Sequence, residues 1–523
     1  MALKLKNVIF LDLQTTGAKP DTAHILEMAW SFMHGEAVHS RTVKLPNDEL
    51  IPKRIQLITG IKDEVMLASK TLPEVLSDFK ESLKSLNEEK PLAIIHFAQF
   101  ERPFLMDAFE KLGEEMPFQI LCTHEIAKRL FPNLPTRGIK GLAGYFGCPS
   151  GELKRAEGHV QATQVIWQGL MAALEEKGLS TFEAIHEWLA ETPKTARGKY
   201  EYPLPKEKRL GLPKQPGVYR MLSRWGEILY VGKATSLHDR VNSYFRGQKN
   251  RDSKKLEMLT QVWDLRVTVV GSPLESALLE TDEIKKWNPP YNISLKVGRR
   301  ELAFFNRDFT SMRNQADEEH VIGPFSNAMA LDSILRLSLS LRSPSFDEHM
   351  FYEPLDAELL KAGFQLFCER HGFEPETFTS VRSILAVGLN WYRQLAEEAE
   401  ENLEECSNDT NVSMDEQGQE DVELTPEDLA DKFERHFIRS AATYLRTKKL
   451  TALLNADIEI DTKNKIFLRT RNGQVVSELN PDGARLQNPW QDSSIDTYDR
   501  MTVLFTELNK LKDKDHDVRI SLR

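Results

Sequence analysis

Residues 216–245, PGVYRMLSRWGEILYVGKATSLHDRVNSYF, constrain the fold more than any other stretch of this chain. Two short runs rich in aliphatic and aromatic residues, 218–222 and 228–231, flank a turn containing Gly226, which is the pattern of a β-hairpin. A helical pattern follows and carries Arg240 and Tyr244 four positions apart, hence on one face. Tyr219, Tyr230, Tyr244, Lys233 and Arg240 are thereby concentrated in one small unit. Any one of them reads as ordinary packing or a solvated charge; all five together point to a site.

With 523 residues and 41% hydrophobic content the chain is too long for one ordinary domain, and two to four are expected. It contains no apolar run of about 18 residues and no basic-then-apolar N-terminal pattern, so the expectation is a soluble, cytoplasmic protein with no membrane partner. Cys122, Cys148, Cys368 and Cys406 are far apart and form no CxxC pair, which argues against a zinc site or a disulfide framework. The net charge of -11 hides an opposite local balance. Residues 203–300 hold 19 Lys and Arg against 10 Asp and Glu, a balance of +9, leaving -20 on the remainder. Such an excess is the footprint of a phosphate-binding surface, although on charge alone a solvated face accounts for it equally.

In the N-terminal part, strands are expected at 8–13, 25–33, 37–44 and 92–97, and helices at 73–86, 101–112, 123–131, 139–146 and 159–174. Three strands followed by alternating helices and strand predict an α/β layer fold. The segments VIFLDLQTTG, IIHFAQFERPFL, CTHEIAKRLFPNLP and KRAEGHVQATQ, in this order and spacing, resemble the DnaQ-type 3'-5' exonuclease domain, an RNase H-like fold, over residues 5–178. The resemblance implies two divalent metals held by four carboxylates, with a histidine as general base, because in-line attack on phosphorus needs charge neutralised on both the entering and the leaving oxygen. The positions of this chain depart from that set. Asp12 keeps the first carboxylate, the glutamate two residues on is Gln14, and the next aspartate is Glu101. The base position falls on Lys154 and the last aspartate on His159; shifting the register to make His159 the base puts Gln164 at the final acid. Two acids and an ammonium lack the charge to hold two divalent ions, so the expectation is a degenerate exonuclease domain.

Between 191 and 215, Pro193, Pro203, Pro205 and Pro213 among basic residues predict a stiff, extended linker and a boundary near residue 200. Beyond it, Gly217-Val218-Tyr219 and Tyr230-Val231-Gly232 resemble the two tripeptides of the GIY-YIG nuclease domain. GKATSLHDRVNSYF and ALLETDEIKKWNPPYNISLK extend the likeness over residues 212–296 to the N-terminal nuclease half of bacterial excinucleases of the UvrC type. In the last segment, Leu274, Ala277, Leu278, Ile284 and Trp287 share one side of a helix, with Glu280 at the edge of the stripe. A carboxylate beside a core-facing stripe costs stability unless it is paired or holds a metal, and the family's metal ligand also falls on Glu280. The resemblance further implies Tyr219 as general base, one Mg²⁺ or Mn²⁺ on Glu280, and Asn292 supporting the site by hydrogen bonding; Arg240, with five donors in a planar fork, suits contact with the phosphoryl group, Tyr244 shares its helix face one turn later, and Tyr230 is expected to help orient the site. A free phenol has a pKa near ~10, so Lys233 and Arg240 are expected to lower that of Tyr219.

Residues 301–523 are less informative. Strands and a turn are expected over 297–309 and 320–327, with helices at 327–342, 355–370, 377–401, 426–454 and 495–511 and a hairpin at 458–476. The second nuclease domain of UvrC-type excinucleases, with its acidic triad, is not found, which brings the chain nearer to short excinuclease homologues that make one nick. Residues 397–428 hold fourteen acids and no Lys or Arg, and are expected to be disordered and solvated rather than a DNA-mimicking arm.

The expected fold class is therefore α/β multidomain. An RNase H-like exonuclease fold (1–185) is followed by a basic, Pro-rich linker (186–210) and a small α/β GIY-YIG domain (211–300). A mixed, mainly helical region (301–395), the acidic segment (396–428) and a helical and hairpin C-terminal region (429–523) complete the chain. The expected function is a metal-dependent DNA endonuclease making single-strand nicks in excision-repair-like processing, with DNA and excision-repair damage-recognition proteins as partners. Two other readings remain open: a dual nuclease that keeps exonuclease activity, and a non-catalytic DNA-binding or repair scaffold.

Overall fold

Strand β1 (Val8–Thr15) sets the first layer, because its residues alternate between two buried faces. The computed structural model describes residues 8–32, 37–46, 49–66, 68–86, 90–148, 153–191, 199–246, 252–293, 302–326, 329–352, 354–401, 424–461, 466–476, 495–512 and 517–522. Strands β2 (Ile25–Phe32) and β3 (His39–Thr42) extend β1 antiparallel on one side, and β4 (Leu92–Ile95) and β5 (Gln119–Cys122) extend it parallel on the other. The sheet order is β3-β2-β1-β4-β5. One face, through Ile9, Leu11 and Leu13, packs on Val75, Phe79, Phe104 and Phe109 from the helices Leu72–Leu83 and Ala98–Glu110. The other, through Val8 and Phe10, packs on Val160, Ile166 and Trp167 of the long helix Ala156–Glu176. Asp12 belongs to this second face by its period-two position, and so looks toward the helix that carries His159.

The hairpin of the second domain forms a three-stranded antiparallel sheet, β7-β6-β8, from β6 (Gly217–Leu222), β7 (Ile228–Ala234) and β8 (Asp264–Val269). Ser236 caps the helix Leu237–Ser243 by accepting from the Asp239 N–H. The helices Ser253–Gln261 and Pro273–Trp287 follow. The expected extended linker is partly folded: Tyr202 and Leu204 join the core of this domain, and Lys206–Leu210 is helical. Pro205 does not prevent this, because it stands at the N-cap, where no helical N–H is needed.

The two domains meet along the helices Ile139–Tyr145 and Ser253–Gln261. Gly144 gives the Gln261 side chain its place there, since a Cβ at that position would make that side chain move. The Trp225 indole, at the hairpin turn, donates to the Gly147 carbonyl at 2.7 Å, and the Tyr145 and Trp263 rings lie 5.4 Å apart. Lys140 lies 3.5 Å from Glu257, which accepts from the Tyr291 hydroxyl at 2.8 Å.

Packing divides the chain into two units, 1–276 with 289–293, and 277–288 with 294–523. In the second, β9 (Ala303–Phe305), β10 (Met312–Arg313) and β11 (Ile322–Phe325) form a small sheet in the order β10-β9-β11. A phenylalanine core of Phe364, Phe367, Phe378, Phe433 and Phe437 joins the helices Ala357–His371 and Pro426–Leu453. The expected hairpin is one half of a four-stranded sheet. Strands β12 (Ala456–Asp461), β13 (Ile466–Arg471) and β14 (Gln474–Val476) are joined by β15 (Asp517–Leu522) in the order β14-β13-β12-β15. Lys285 is sunk against the helix Ile495–Lys512, 2.6 Å from the buried Asp499 and 3.2 Å from Asp496, and Arg500 pairs with Asp282. The acidic segment lies mostly outside the described residues. Among the described residues no helix is long and apolar enough to cross a membrane.

Candidate active site

Tyr219 sits at the centre of the β7-β6-β8 sheet, directly opposite Gly232 in the β6–β7 register, and is fully buried. Glycine at 232 makes room for it, since a Cβ there would strike the Tyr219 hydroxyl and ring and approach Tyr230. The Tyr219 hydroxyl lies 3.0 Å from that of Tyr244, and the ring of Tyr230 stands 6.1 Å from that of Tyr219 and 6.3 Å from that of Tyr244. The exposed Arg240 guanidinium lies over the Tyr244 ring, 5.5 Å from its centre. Tyr244 itself falls at the C-cap, just past the last helical residue. Lys233 is half-buried on β7.

Asn292 is buried and closes the free edge of β7. Its amide oxygen accepts from the Val231 N–H at 3.0 Å, and its amide nitrogen donates to the Val231 carbonyl at 2.9 Å. A side chain thus replaces the strand partner that the edge lacks. On the helix Pro273–Trp287, Leu274, Ala277, Thr281 and Ile284 form the buried stripe, and Glu280 is half-buried beside it. Trp287, expected in the stripe, is 50% exposed at the last turn.

The expected lowering of the Tyr219 pKa is not seen in the protein alone. Burial and the neighbouring phenols of Tyr244 and Tyr230 push it well above its ordinary value, and the downward pull of Arg240 is smaller.

In the N-terminal domain, Asp12 is buried and both of its carboxylate oxygens are engaged. Gln14 donates to Oδ2 at 3.0 Å, and His159 Nδ1 lies 3.1 Å from Oδ1. The other ring nitrogen of His159 is 3.2 Å from the Leu153 carbonyl. Two acceptors, one at each nitrogen, suit the imidazolium. Burial pulls the His159 pKa down, but the hydrogen bond and charge of Asp12 prevail and raise it. Glu101 is buried beside this pair, and burial, reinforced by Asp12, raises its pKa far above the carboxylate range. The Asp12 carboxylate is thus already engaged by Gln14 and His159, Gln14 brings no charge, and burial disfavours the charged form of Glu101, a donor set short of the charge that two divalent ions need. Among the described residues no group of three or more His, Cys, Asp and Glu is arranged to hold a metal. Lys154, placed by sequence at the base position, is exposed; the residue that meets Asp12 is His159.

Residues 9–152 match the family model described as an exonuclease, and residues 215–293 match the UvrC-like GIY-YIG domain. The chain carries an exonuclease domain followed by a UvrC-like GIY-YIG nuclease domain. A Mycobacterium tuberculosis protein named as a bifunctional exonuclease/endonuclease is 27% identical over 362 residues, 66% of this chain and 54% of that protein. The UvrABC system protein C of Pelodictyon phaeoclathratiforme is 36% identical over 137 residues, 25% of this chain and 22% of that protein. The chain therefore spans about half the length of the first relative and less than a quarter of the second. The GIY-YIG endonuclease domain of UvrC from Thermotoga maritima, solved with magnesium bound, is 33% identical, with 17% of this chain and 94% of that chain covered and a TM-score of 0.16. The exonuclease, GIY-YIG and helical C-terminal order expected from sequence is the order found.

Proposed function

We propose that the chain is a metal-dependent DNA endonuclease whose GIY-YIG domain hydrolyses one strand of a duplex, leaving a nick, in damage processing akin to nucleotide excision repair. The observation that carries this reading is the contact between the Tyr219 and Tyr244 hydroxyls under the Arg240 guanidinium, in a domain where every motif position is filled. Arg240, exposed and with five donors in a planar fork, grips the phosphoryl oxygens. Tyr219 takes the proton of the attacking water as the phenolate, after its own phenolic proton has passed to solvent, and Tyr244 and Tyr230 hold its ring and oxygen in line. Asn292 fixes the strand that carries Tyr230 and Gly232. Lys233 adds positive charge at the mouth of the site.

Glu280 suits a Mg²⁺ or Mn²⁺ ion that keeps most of its waters and takes one carboxylate from the protein. When bound there, the ion supplies charge against the phosphoryl and leaving oxygens. A site of this kind needs no free strand end, which supports nicking rather than end-wise digestion. The exonuclease domain serves as a non-cleaving part of the same enzyme, which its neutralised Asp12–His159 pair supports. Damage-recognition proteins of excision repair are the partners that the UvrC likeness suggests.

The test is conversion of supercoiled plasmid, and of damaged duplex, to nicked product with Mg²⁺ or Mn²⁺. Loss of nicking in Glu280→Ala with retention in Asp12→Ala supports the proposal. Equal nicking by parent and Glu280→Ala refutes it, and 3'-end digestion that depends on Asp12 favours a dual nuclease.

A further inference from the structure

The segment 199–209 at the entry to the GIY-YIG domain, with Asn133, lines a cleft of about 400 Å³ that opens to solvent. Its wall carries three cations, Lys199, Lys206 and Arg209, and two aromatic rings, Tyr200 and Tyr202. The two rings lie 6.3 Å apart, edge to face. One acid, Glu201, also lines it, but that carboxylate already accepts from the Asn133 amide at 2.9 Å, and its backbone N–H donates to the Asn133 carbonyl. The cavity thus keeps a positive excess and an anchored floor. Arg209 is held in place: it donates to the Asn242 side chain at 2.6 Å, accepts from the same side chain through its carbonyl, and lies 4.8 Å over the Phe245 ring.

Asn242 and Arg240 are two positions apart on one helix, so they face opposite ways. The cavity therefore lies behind the helix that presents Arg240, about 10 Å away across its width. That is too far to share the scissile phosphate and near enough for a nucleotide further along the same strand. Cations beside stackable rings are the chemistry that binds a single strand without reading its sequence.

We propose that this cavity binds one nucleotide, phosphate on the cations and base against Tyr200, of a DNA strand whose scissile phosphodiester, further along the same strand, lies in the GIY-YIG site. This deepens the endonuclease reading and rests on it for the identity of the strand. Its role is to hold substrate in register, so it acts on affinity and not on the chemical step.

The test uses the full chain in EDTA, where no cleavage interferes, with a fluorescein-labelled 20-nucleotide single strand followed by anisotropy over a range of salt. The double variant Lys199→Gln/Lys206→Gln is expected to bind about 5- to 10-fold more weakly and to lower the slope of log K against log salt by ~0.7, the contribution of one phosphate contact on a single strand. Tyr200→Ala is expected to weaken binding by a similar factor with the slope unchanged. Lys111→Gln, an exposed lysine paired with Asp107 on the exonuclease domain, is the control and is expected to match the parent. Affinity and slope equal to the control in both variants overturn the proposal. So does a mononucleotide, dAMP, that binds the cavity as tightly as the oligonucleotide does, because the site then belongs to free nucleotides. In the nicking assay the same variants are expected to raise KM with kcat unchanged. The predicted losses of affinity and slope in the variants, with a parent that does not nick, would refute the endonuclease reading and leave the cavity's strand binding standing.

Discussion

His159 Nδ1 lies 3.1 Å from the Asp12 carboxylate although 147 residues separate them in sequence. The first strand and the long helix bring them together, and the contact engages the Asp12 carboxylate, as the proposal of a non-cleaving front domain requires. Asp12→Ala is accordingly expected to leave 3'-end degradation of single-stranded DNA at the same low level as the parent. Release of labelled mononucleotides with Mg²⁺ checks this.

The same pair predicts a pH-dependent stability. The folded-state pKa of His159 is raised, so its contribution is complete below the ordinary histidine value of ~6.5 and fades as pH rises through the folded value. The loss of melting temperature caused by His159→Gln is expected to be larger at pH 6 than at pH 9. A difference that grows with pH would contradict the assignment.

For the GIY-YIG site, Tyr219→Phe and Arg240→Ala are each expected to reduce nicking by about 10²- to 10⁴-fold, the range for loss of a general base or of one charge-stabilising group. Because the Tyr219 phenol is held above its ordinary pKa, the parent rate is expected to rise from pH 7 to 9. A flat profile in the parent, with full activity in Tyr219→Phe, removes Tyr219 from the mechanism.

Gly232→Ala places a methyl against the Tyr219 hydroxyl. Overpacking of this kind costs about 1–3 kcal/mol. The variant is expected to fold with a lower melting temperature and to nick at the level of Tyr219→Phe. Normal nicking would mean that Tyr219 does not need this position.

Asn292→Ala strips the Val231 N–H and carbonyl of their partner at a buried strand edge, a loss of about 1–3 kcal/mol. Asn292→Asp keeps the acceptor for the N–H but turns a second acceptor toward the carbonyl, so it is not expected to rescue. Urea unfolding of both variants measures this, and nicking is expected to fall alongside stability.

Much of this was legible in advance where one residue type has one strong local preference. Short apolar runs located β1 and β2, and the tripeptides at 217–219 and 230–232 located the hairpin. Gln14 showed that one carboxylate was lost, but the base position was ambiguous between Lys154 and His159, because Lys154 lies ahead of the helix Ala156–Glu176 and His159 on its first turn, and only the packed structure shows which of them meets Asp12. Strand β5 is four residues between helices and β15 lies at the far end of its sheet's sequence, so neither carries a pattern long enough to read. Trp287 fits the helical stripe by spacing, yet it falls on the last turn, where the surrounding core has ended. The Tyr219 pKa was misjudged because counting nearby cations omits the cost of burial. The cavity at 199–209 was concealed by its prolines, which mark a linker without showing that it folds back.

The link from Lys140 through Glu257 to Tyr291 crosses from the exonuclease domain to the residue beside Asn292. Point mutation can erase a nuclease's metal ligands while leaving such contacts untouched; deletion of the domain cannot. Losing residues 1–185 would turn Trp263, Gln261 and Tyr291 outward to water beside the strand edge that Asn292 closes. The front domain thus acts as a wall of the rear one, a role that asks nothing of its own cutting chemistry.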